Sequence, residues 1–206
     1  VIHNGVTPRA PVRSRAEVRS ALDLDDARLV IAQVASFRSL KAQDVTIDAM
    51  ARLKERGVAV TVLFVGEGEE LEAMKARAKA LGLGDDRVKF LGFRDDVPDL
   101  LGASDVFALP SRTEGLPLAV LEAMAQRLAV VVTPVGGVPE LVQDEVDGLV
   151  VPVGDADALA TAFARLAADP SLRDRLATTG AAKVAKDFTF EGMTDRYEEL
   201  YRSLTR

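Results

Sequence analysis

The sequence predicts an α/β fold in which a parallel sheet is flanked by helices. Apolar, β-branched runs alternate along the chain with segments of helical spacing. The runs are apolar at nearly every position, which is typical of strands buried on both faces of a parallel sheet. A chain of 206 residues with a hydrophobic fraction of 48% is also long enough to build one domain around a large core.

The apolar runs are the predicted strands. They lie at 29–34, 58–65, 87–92, 106–110, 129–133 and 148–151. The segments between them predict helices at 43–56, 69–81, 97–103, 116–127 and 138–144. Residues 1–25 form a lead-in segment with one short helix near 15–22. This alternation of strand and helix is what places neighbouring strands in parallel.

The character of the chain changes after Asp155, where three helices are predicted at 156–168, 171–186 and 191–204. Pro170 separates the first two, because a proline disfavours helical backbone at the residue before it. The last helix has an apolar stripe of Met193, Tyr197, Leu200, Tyr201 and Leu204. We predict a single domain over 1–206, whose terminal helix within 187–206 packs either on this domain or on a missing neighbour.

Composition excludes several classes of function. The chain has no cysteine and one histidine, which excludes disulfides, thiolate metal sites and multi-histidine centres. A net charge of −6 argues against nucleic-acid binding, and no apolar run reaches membrane-spanning length. We expect an intracellular, soluble protein with a small-molecule partner. No signal peptide is visible at Val1. Because the chain opens at Val1 without an initiator Met, we expect it to be a piece of a longer protein.

Ligands of open parallel sheets bind outside the carboxyl ends of the strands. This rule selects five loops, at 36–41, 66–69, 92–96, 111–117 and 134–137. In the fourth loop, Pro117 stands near a helix start, where the amides of Leu118 and Ala119 would form an anion site. Glu114 and Glu122 would flank it, about 9 Å apart. The pattern alone also fits Glu122 as an ordinary solvated helix residue.

Several segments together resemble the family-four group of retaining GT-B glycosyltransferases. Residues 2–6 are similar to the family's "PNGV" segment, 64–69 to "VGDGPE" and 88–93 to "VxFLGF". Residues 105–121 resemble "DVFVLPSxxEGLPxxLLEAMA", and 135–140 resemble "xGGxPE". The resemblance covers nearly the whole chain and implies the Rossmann-like, C-terminal, donor-binding half of a GT-B fold.

The family's E-x₇-E signature assigns roles to the fourth loop. By resemblance, Glu114 binds a hydroxyl of the donor sugar and Glu122 binds the ribose hydroxyls. The backbone of five consecutive residues would cradle sugar and phosphates: Gly115, Leu116, Pro117, Leu118 and Ala119. The nucleobase would lie against the backbone of Phe93 and Arg94, and Gly66 and Gly92 complete the expected donor-binding set.

The first loop departs from the family pattern. The family presents "GR-x₄-K", whose Arg and Lys neutralise the diphosphate; here Lys41 matches the Lys, but Ser36 stands at the Arg position. Arg38 either supplies the missing charge or is a surface arginine. The expected catalytic set is therefore Arg38, Lys41 and Glu114, with negative charge building on the leaving diphosphate.

Three other patterns favour structural roles. Gly66-x-Gly68 is half of a dinucleotide fingerprint, but Leu71 occupies the third Gly position, which disfavours an NAD-type oxidoreductase. The Asp-x-Asp pairs at 23–25 and 155–157 suggest a metal motif, yet Asp155 falls where a helix cap is expected, so no metal site is predicted. His3 is expected to be structural, in a lead-in strand.

The resemblance implies a complete enzyme of the hexosyltransferase class, in the cytoplasm. It would move a sugar from a nucleoside diphosphate donor to a hydroxyl acceptor, retaining configuration without metal or cofactor. The expected partners are the donor and a missing N-terminal acceptor domain, with peripheral membrane association of the full-length enzyme and no nucleic acid. The isolated chain would be inactive. A non-catalytic nucleotide-sugar binding module would share every motif and remains the alternative.

Overall fold

The computed structural model describes residues 2–204; Val1 and residues 205–206, at the ends of the predicted domain, lie outside the described residues. Its centre is a parallel sheet with the order β3-β2-β1-β4-β5-β6. The strands are β1 (Leu29–Val34), β2 (Val60–Val65), β3 (Val88–Phe90), β4 (Val106–Leu109), β5 (Ala129–Val132) and β6 (Leu149–Val150). The predicted fold class, a Rossmann-like α/β sheet, is confirmed.

Helices connect the strands and then continue to the end of the described chain. Those before β4 are α1 (Arg15–Ala21), α2 (Gln43–Glu55), α3 (Leu71–Ala80) and α4 (Val97–Ala103), with a 3₁₀ turn at Ser39–Lys41. Those after it are α5 (Leu118–Ala125), α6 (Val138–Leu141), α7 (Ala156–Ala168), α8 (Pro170–Asp187) and α9 (Phe190–Leu204). Each predicted helix is present, with ends that differ by a few residues.

The sheet buries apolar side chains on both faces, as its sequence predicts. Ile31 packs in the cluster that contains side chains of α2, α3 and α7, whereas Ala32 packs in the cluster that contains those of α5, α6 and α8. Successive residues of a strand point to opposite faces, so one short run supplies two cores. Because there is an apolar cluster on each face of the sheet, the strands do not alternate between apolar and polar residues.

The prediction of a lead-in strand is wrong. Residues 2–5 form no strand, and Val6 makes only an isolated bridge to Thr189. A strand needs a continuous ladder of backbone partners, and residues 2–5 pair with none of the six strands of the sheet. The lead-in segment is held instead by the chain between α8 and α9, through Val6 N–H donating to Phe188 O at 2.9 Å.

The strand order reverses beside β1. The chain builds outward from β1 to β3 and then crosses back to place β4 on the other side of β1. The helices that follow β1 and β4 therefore diverge to opposite faces and leave a crevice at the carboxyl ends of these two strands. The first and fourth predicted loops, around Lys41 and Glu114, both lie at this switch point.

Candidate functional site

Two predicted site residues meet across the crevice. Lys41 Nζ donates to Glu114 Oε1 at 2.6 Å, and Ser111 Oγ donates to the same oxygen at 2.6 Å. The Glu114 side chain is only 7% exposed, so these two donors compensate a nearly buried carboxylate. The Lys41–Glu114 ion pair thereby joins the loop after β1 to the loop after β4.

A polar residue of β1 donates a hydrogen bond to the backbone of Lys41. Gln33 Nε2 donates to Lys41 O at 2.9 Å, and Thr46 Oγ1 on α2 donates to Gln33 Oε1 at 2.7 Å. Gln33 and Thr46 are both buried. Sequence reasoning missed Gln33, although a glutamine inside an otherwise apolar strand was a visible signal, because buried polar groups need partners.

The fifth loop presses against the fourth. A Cβ on Gly136 would lie 1.9 Å from Glu114 O, and Gly136 has a φ of +55°. Gly137 N–H donates to Gly115 O at 2.7 Å. Glycine is required at 136 because the backbone of the Glu114 loop passes where a side chain would stand. The loop at 134–137 thus supports the backbone at which a donor sugar is expected.

Gly66 and Gly92 join the second and third loops. Gly66 N–H donates to Gly92 O at 2.8 Å. A Cβ on Gly66 would lie 2.2 Å from Ala35 O in the first loop, and Gly66 has a φ of +136°. These two predicted site residues therefore act through close backbone approach, which brings three loops together on the β1 side of the crevice.

Helix α5 begins at Leu118, two residues later than the predicted 116–127, so Leu116 and Pro117 belong to the loop. Pro117 is the N-cap residue and makes no side-chain capping hydrogen bond. The first amides of any α-helix have no acceptor inside the helix, and here they include those of Leu118 and Ala119. This end carries the positive pole of the helix dipole and suits an anion.

A cavity of about 370 Å³ opens beside the same crevice. Its wall includes Glu122 of α5, Val34 at the end of β1, and Arg94 of the third loop. Thr7 and Arg9 of the lead-in segment also line it. Sequence reasoning did not place these two residues at the site; the likeness of residues 2–6 to a family segment was the signal that pointed there.

The charges around the cavity are unevenly neutralised. The Glu122 side chain is exposed, but partial burial of its carboxyl still raises the pKa of that group, and the charge of Arg9 lowers it by a smaller amount. Arg94 donates twice to Asp96, at 2.7 and 2.6 Å, which lowers the pKa of Asp96. Phe93 is 72% exposed next to it. With the guanidinium occupied, the backbone and the aliphatic part of Arg94 are left to face a ligand.

Arg38 lies on the turn that carries Lys41, since Lys41 N–H donates to Arg38 O at 2.8 Å. Its side chain is exposed and makes no ion pair or hydrogen bond with any residue between 2 and 204. Ser36 is also exposed, and its carbonyl accepts a hydrogen bond from Gln43 at 3.0 Å. A second cation at the diphosphate position therefore depends on Arg38, and this role stays a prediction.

Asp155 and His3 make their contacts with other protein groups. Asp155 caps α7 by accepting from the amides of Asp157 and Ala158 at 3.0 and 2.9 Å, as predicted. His3 Nε2 lies 2.5 Å from Glu140 Oε2, and its ring contacts that of Phe188. In the part of the chain that the structure describes, no three His, Cys, Asp or Glu side chains are grouped to hold a metal ion.

Comparison with known proteins gives the family. The profile of the glycosyl transferases group 1 matches residues 14–183. The chain belongs to the group 1 glycosyltransferases. Among curated members it is 36% identical over 185 residues to the lipopolysaccharide core biosynthesis glycosyltransferase LpsE of Rhizobium meliloti, covering 90% of this chain and 53% of that protein. This glycosyltransferase chain thus spans about half the length of the curated relatives it matches.

A second relative is 39% identical over 207 residues: a D-inositol 3-phosphate glycosyltransferase of Salinispora tropica, with 94% of this chain and 42% of that protein covered. Among solved structures, Anabaena Alr3699/HepE in complex with UDP-glucose has a TM-score of 0.90 and 28% identity. That match covers 98% of this glycosyltransferase chain and 57% of the other. The fold is that of GT-B glycosyltransferases.

Helix length bears on membrane insertion. Among the described residues of this glycosyltransferase chain, none of the helices combines the length and the apolar character that a bilayer crossing requires.

Proposed function

We propose that this chain is the donor-binding domain of a retaining glycosyltransferase that transfers a sugar from a nucleoside diphosphate. The observation that supports this most strongly is the crevice at the β1–β4 switch point. There, the Lys41–Glu114 pair joins the loops after β1 and β4, α5 begins four residues after Glu114, and Glu122 of α5 lines the cavity. The complex of HepE with UDP-glucose shows that this fold accommodates such a donor in another protein.

In this proposal each part of the groove binds one part of the donor. Glu114 accepts a hydroxyl of the sugar, and the backbone from Gly115 to Ala119 surrounds the sugar and the phosphates. Glu122 accepts the ribose hydroxyls inside the cavity, and the base lies against the backbone of Phe93 and Arg94. Two carboxylates at the hydroxyl-bearing ends and amides in the middle match the charge distribution of a nucleotide sugar.

The chemistry requires charge stabilisation at the leaving diphosphate. Lys41 and Arg38 supply cations, and the amides at the start of α5 supply the positive end of a helix dipole. The acceptor hydroxyl attacks from the face that the diphosphate leaves, so the configuration is retained without a protein nucleophile, a metal or a cofactor. Orientation of the two substrates then provides the remaining acceleration.

The acceptor site belongs, in this proposal, to an N-terminal domain, which fits a chain covering 53% of LpsE and 42% of the Salinispora relative. The isolated chain binds donor without turnover. The whole enzyme acts in the cytoplasm, associated peripherally with the membrane. A non-catalytic nucleotide-sugar binding protein is the alternative, and turnover by the full-length protein with a panel of donors distinguishes the two.

Donor binding is tested by thermal unfolding of this chain with UDP, GDP, ADP and their glucose or mannose derivatives. A nucleotide at a hundredfold excess over its Kd stabilises the fold by about 2.7 kcal/mol and raises the melting temperature. Glu122→Ala is expected to weaken binding of the free nucleoside diphosphate. Glu114→Ala is expected to spare it and to weaken only the nucleotide sugar.

Glu72→Ala, which removes an exposed carboxylate of α3 outside the crevice, serves as the control. It should bind every nucleotide as the parent does. If Glu114→Ala and Glu122→Ala also bind like the parent, the proposed donor site is wrong.

A further inference from the structure

Arg112 joins the two loops that carry Lys41 and Glu114. Its guanidinium donates to both carboxylate oxygens of Asp44, at 2.9 and 2.6 Å, and to Ser39 O at 2.5 Å. Its backbone amide donates to Leu40 O at 2.8 Å. Four hydrogen bonds from one residue of the β4–α5 loop therefore end on the turn and first helical residues that follow β1.

These contacts flank Lys41 on both sides along the chain and start two residues before Glu114. Lys41 lies between Ser39 and Asp44 along the chain, and Glu114 follows Arg112 by two residues. A two-bond fork between guanidinium and carboxylate fixes orientation as well as distance, because both groups are planar. The position of one loop is in this way tied to that of the other.

The ion pair between Arg112 and Asp44 is partly buried. The two side chains are 39% and 31% exposed. Burial raises the pKa of Asp44, but the hydrogen bond and charge of Arg112 outweigh it and leave that pKa below the ordinary value. Asp44 is therefore ionised at neutral pH, so both members of the pair are charged under the conditions in which a donor would bind.

Arg112 is not among the residues that line the 370 Å³ cavity, and its donors are engaged by Asp44 and Ser39. We propose that Arg112 and Asp44 are positioning residues that hold Glu114 where it distinguishes a nucleotide sugar from the free nucleoside diphosphate. This inference rests on the proposed function. Gln33 holds the backbone of Lys41 independently, so loss of the pair displaces the Glu114 side of the crevice.

The test compares Arg112→Ala, Asp44→Asn and the double variant by calorimetry with UDP-glucose and UDP, and with GDP-mannose and GDP. For the base that the parent binds, each single variant is expected to lower the ratio of nucleotide-sugar affinity to nucleoside diphosphate affinity about tenfold, as for loss of one hydrogen bond to a charged group. The double variant should lower it no further. Arg112→Lys, with one contact in place of the fork, should give an intermediate ratio.

The pair between Arg77 and Asp48, with two bonds of 2.8 and 2.7 Å, is a matched control. It joins α3 to α2 outside the crevice. Arg77→Ala should lower the melting temperature but leave the affinity ratio at the parent value. An unchanged ratio in folded Arg112→Ala, or an equal change in Arg77→Ala, overturns the inference alone. A parent that binds none of these nucleotides overturns the proposed function, and the inference with it.

Discussion

At the scale of single residues, the main feature of the crevice is the Glu114 carboxylate, whose charge is compensated by protein donors without a ligand. Glu114 accepts from Lys41 and Ser111 through the same oxygen, Oε1. Its other oxygen, Oε2, accepts no hydrogen bond from any residue between 2 and 204 and would be available to a sugar hydroxyl. The ion pair thus holds the acceptor in place rather than competing with the donor.

Glu122 gives a pH dependence whose sign follows from its surroundings. Burial raises the pKa of its carboxyl, with a smaller opposing effect of Arg9, so the folded chain holds this proton more tightly than the unfolded chain. The ionised carboxylate consequently destabilises the fold above its raised pKa, and this cost is absent below the unfolded value. Glu122→Gln should be more stable than the parent near pH 8, and the difference should shrink toward pH 4.

Melting temperatures of the two proteins across that range measure the effect. Glu199→Gln, at an exposed position of α9, should show no such trend. A stability difference between Glu122→Gln and the parent that stays constant with pH would contradict the assignment.

Arg127 has a left-handed backbone conformation whose cost can be measured. It follows the last turn of α5 with a φ of 60°, while Leu128 N–H donates to Ala123 O at 3.1 Å. Left-handed backbone at this position is the usual place for glycine, since other residues are strained by about 1 kcal/mol. Arg127→Gly should be more stable than Arg127→Ala by roughly this amount in urea unfolding.

The alanine variant is the appropriate reference because both variants lose the hydrogen bond from Arg127 to Thr178. Equal stability of the two would show that the left-handed conformation costs the chain nothing.

At the scale of elements, close backbone contacts between loops determine where a helix can begin and where a side chain has room. The loop at 134–137 lies against Gly115, and α5 starts only at Leu118, after the chain has passed this contact. The two residues that sequence periodicity added to the helix are used instead to shape the loop. Element boundaries at a binding crevice therefore follow tertiary contacts more than local propensity.

Gly136→Ala tests this packing. Its new Cβ would stand 1.9 Å from Glu114 O, so the fourth and fifth loops must separate. Gly57→Ala is the matched control, since Gly57 has a similar φ of +69° but no atom within 4 Å of the added Cβ. Both variants carry the left-handed strain of about 1 to 2 kcal/mol. Gly136→Ala should unfold at a lower temperature and lose nucleotide-sugar binding.

Calorimetry and thermal unfolding of the two variants give the comparison. If Gly136→Ala matches Gly57→Ala in stability and binds nucleotide sugar as the parent does, the contact between the loops has no role in the site.

At the scale of the whole molecule, the terminal helix α9 is the element that this chain does not bury. It contains no buried residue, and Leu200 and Leu204 of its apolar stripe are 43% and 72% exposed. An exposed apolar stripe of this kind is typical of an interaction surface. In the proposed enzyme it packs on the N-terminal domain, whose partner surface is outside this chain.

Substitutions in the stripe distinguish an α9 that is exposed, as in this chain, from an α9 that packs on an N-terminal domain, as proposed for the full-length protein. Leu200→Ala and Leu204→Ala should change the stability of this chain by less than about 0.5 kcal/mol, the usual effect at an exposed site. Leu176→Ala on α8, where the side chain is fully buried, should cost about 2 to 5 kcal/mol. In the full-length protein the α9 substitutions should become destabilising as well. Urea unfolding of both lengths checks this, and unchanged stability in the longer protein would contradict the proposed packing of α9.

The sequence by itself determined the elements and their class. Buried strands and amphipathic helices leave patterns within a few consecutive residues, and so do local caps such as Asp155. The loop from Glu114 to Glu122 was visible for the same reason, because strand, turn and helix start are all contained in one segment.

Only the tertiary structure decided which loops meet. Lys41 and Glu114 are 73 positions apart, and the bonds of Arg112 to Asp44 span 68. Such pairs form because β4 crosses back beside β1, and strand order depends on packing of the whole chain rather than on any local pattern. The exposure of α9 and the lack of a lead-in strand have the same origin, since each depends on whether a partner surface exists elsewhere in the fold.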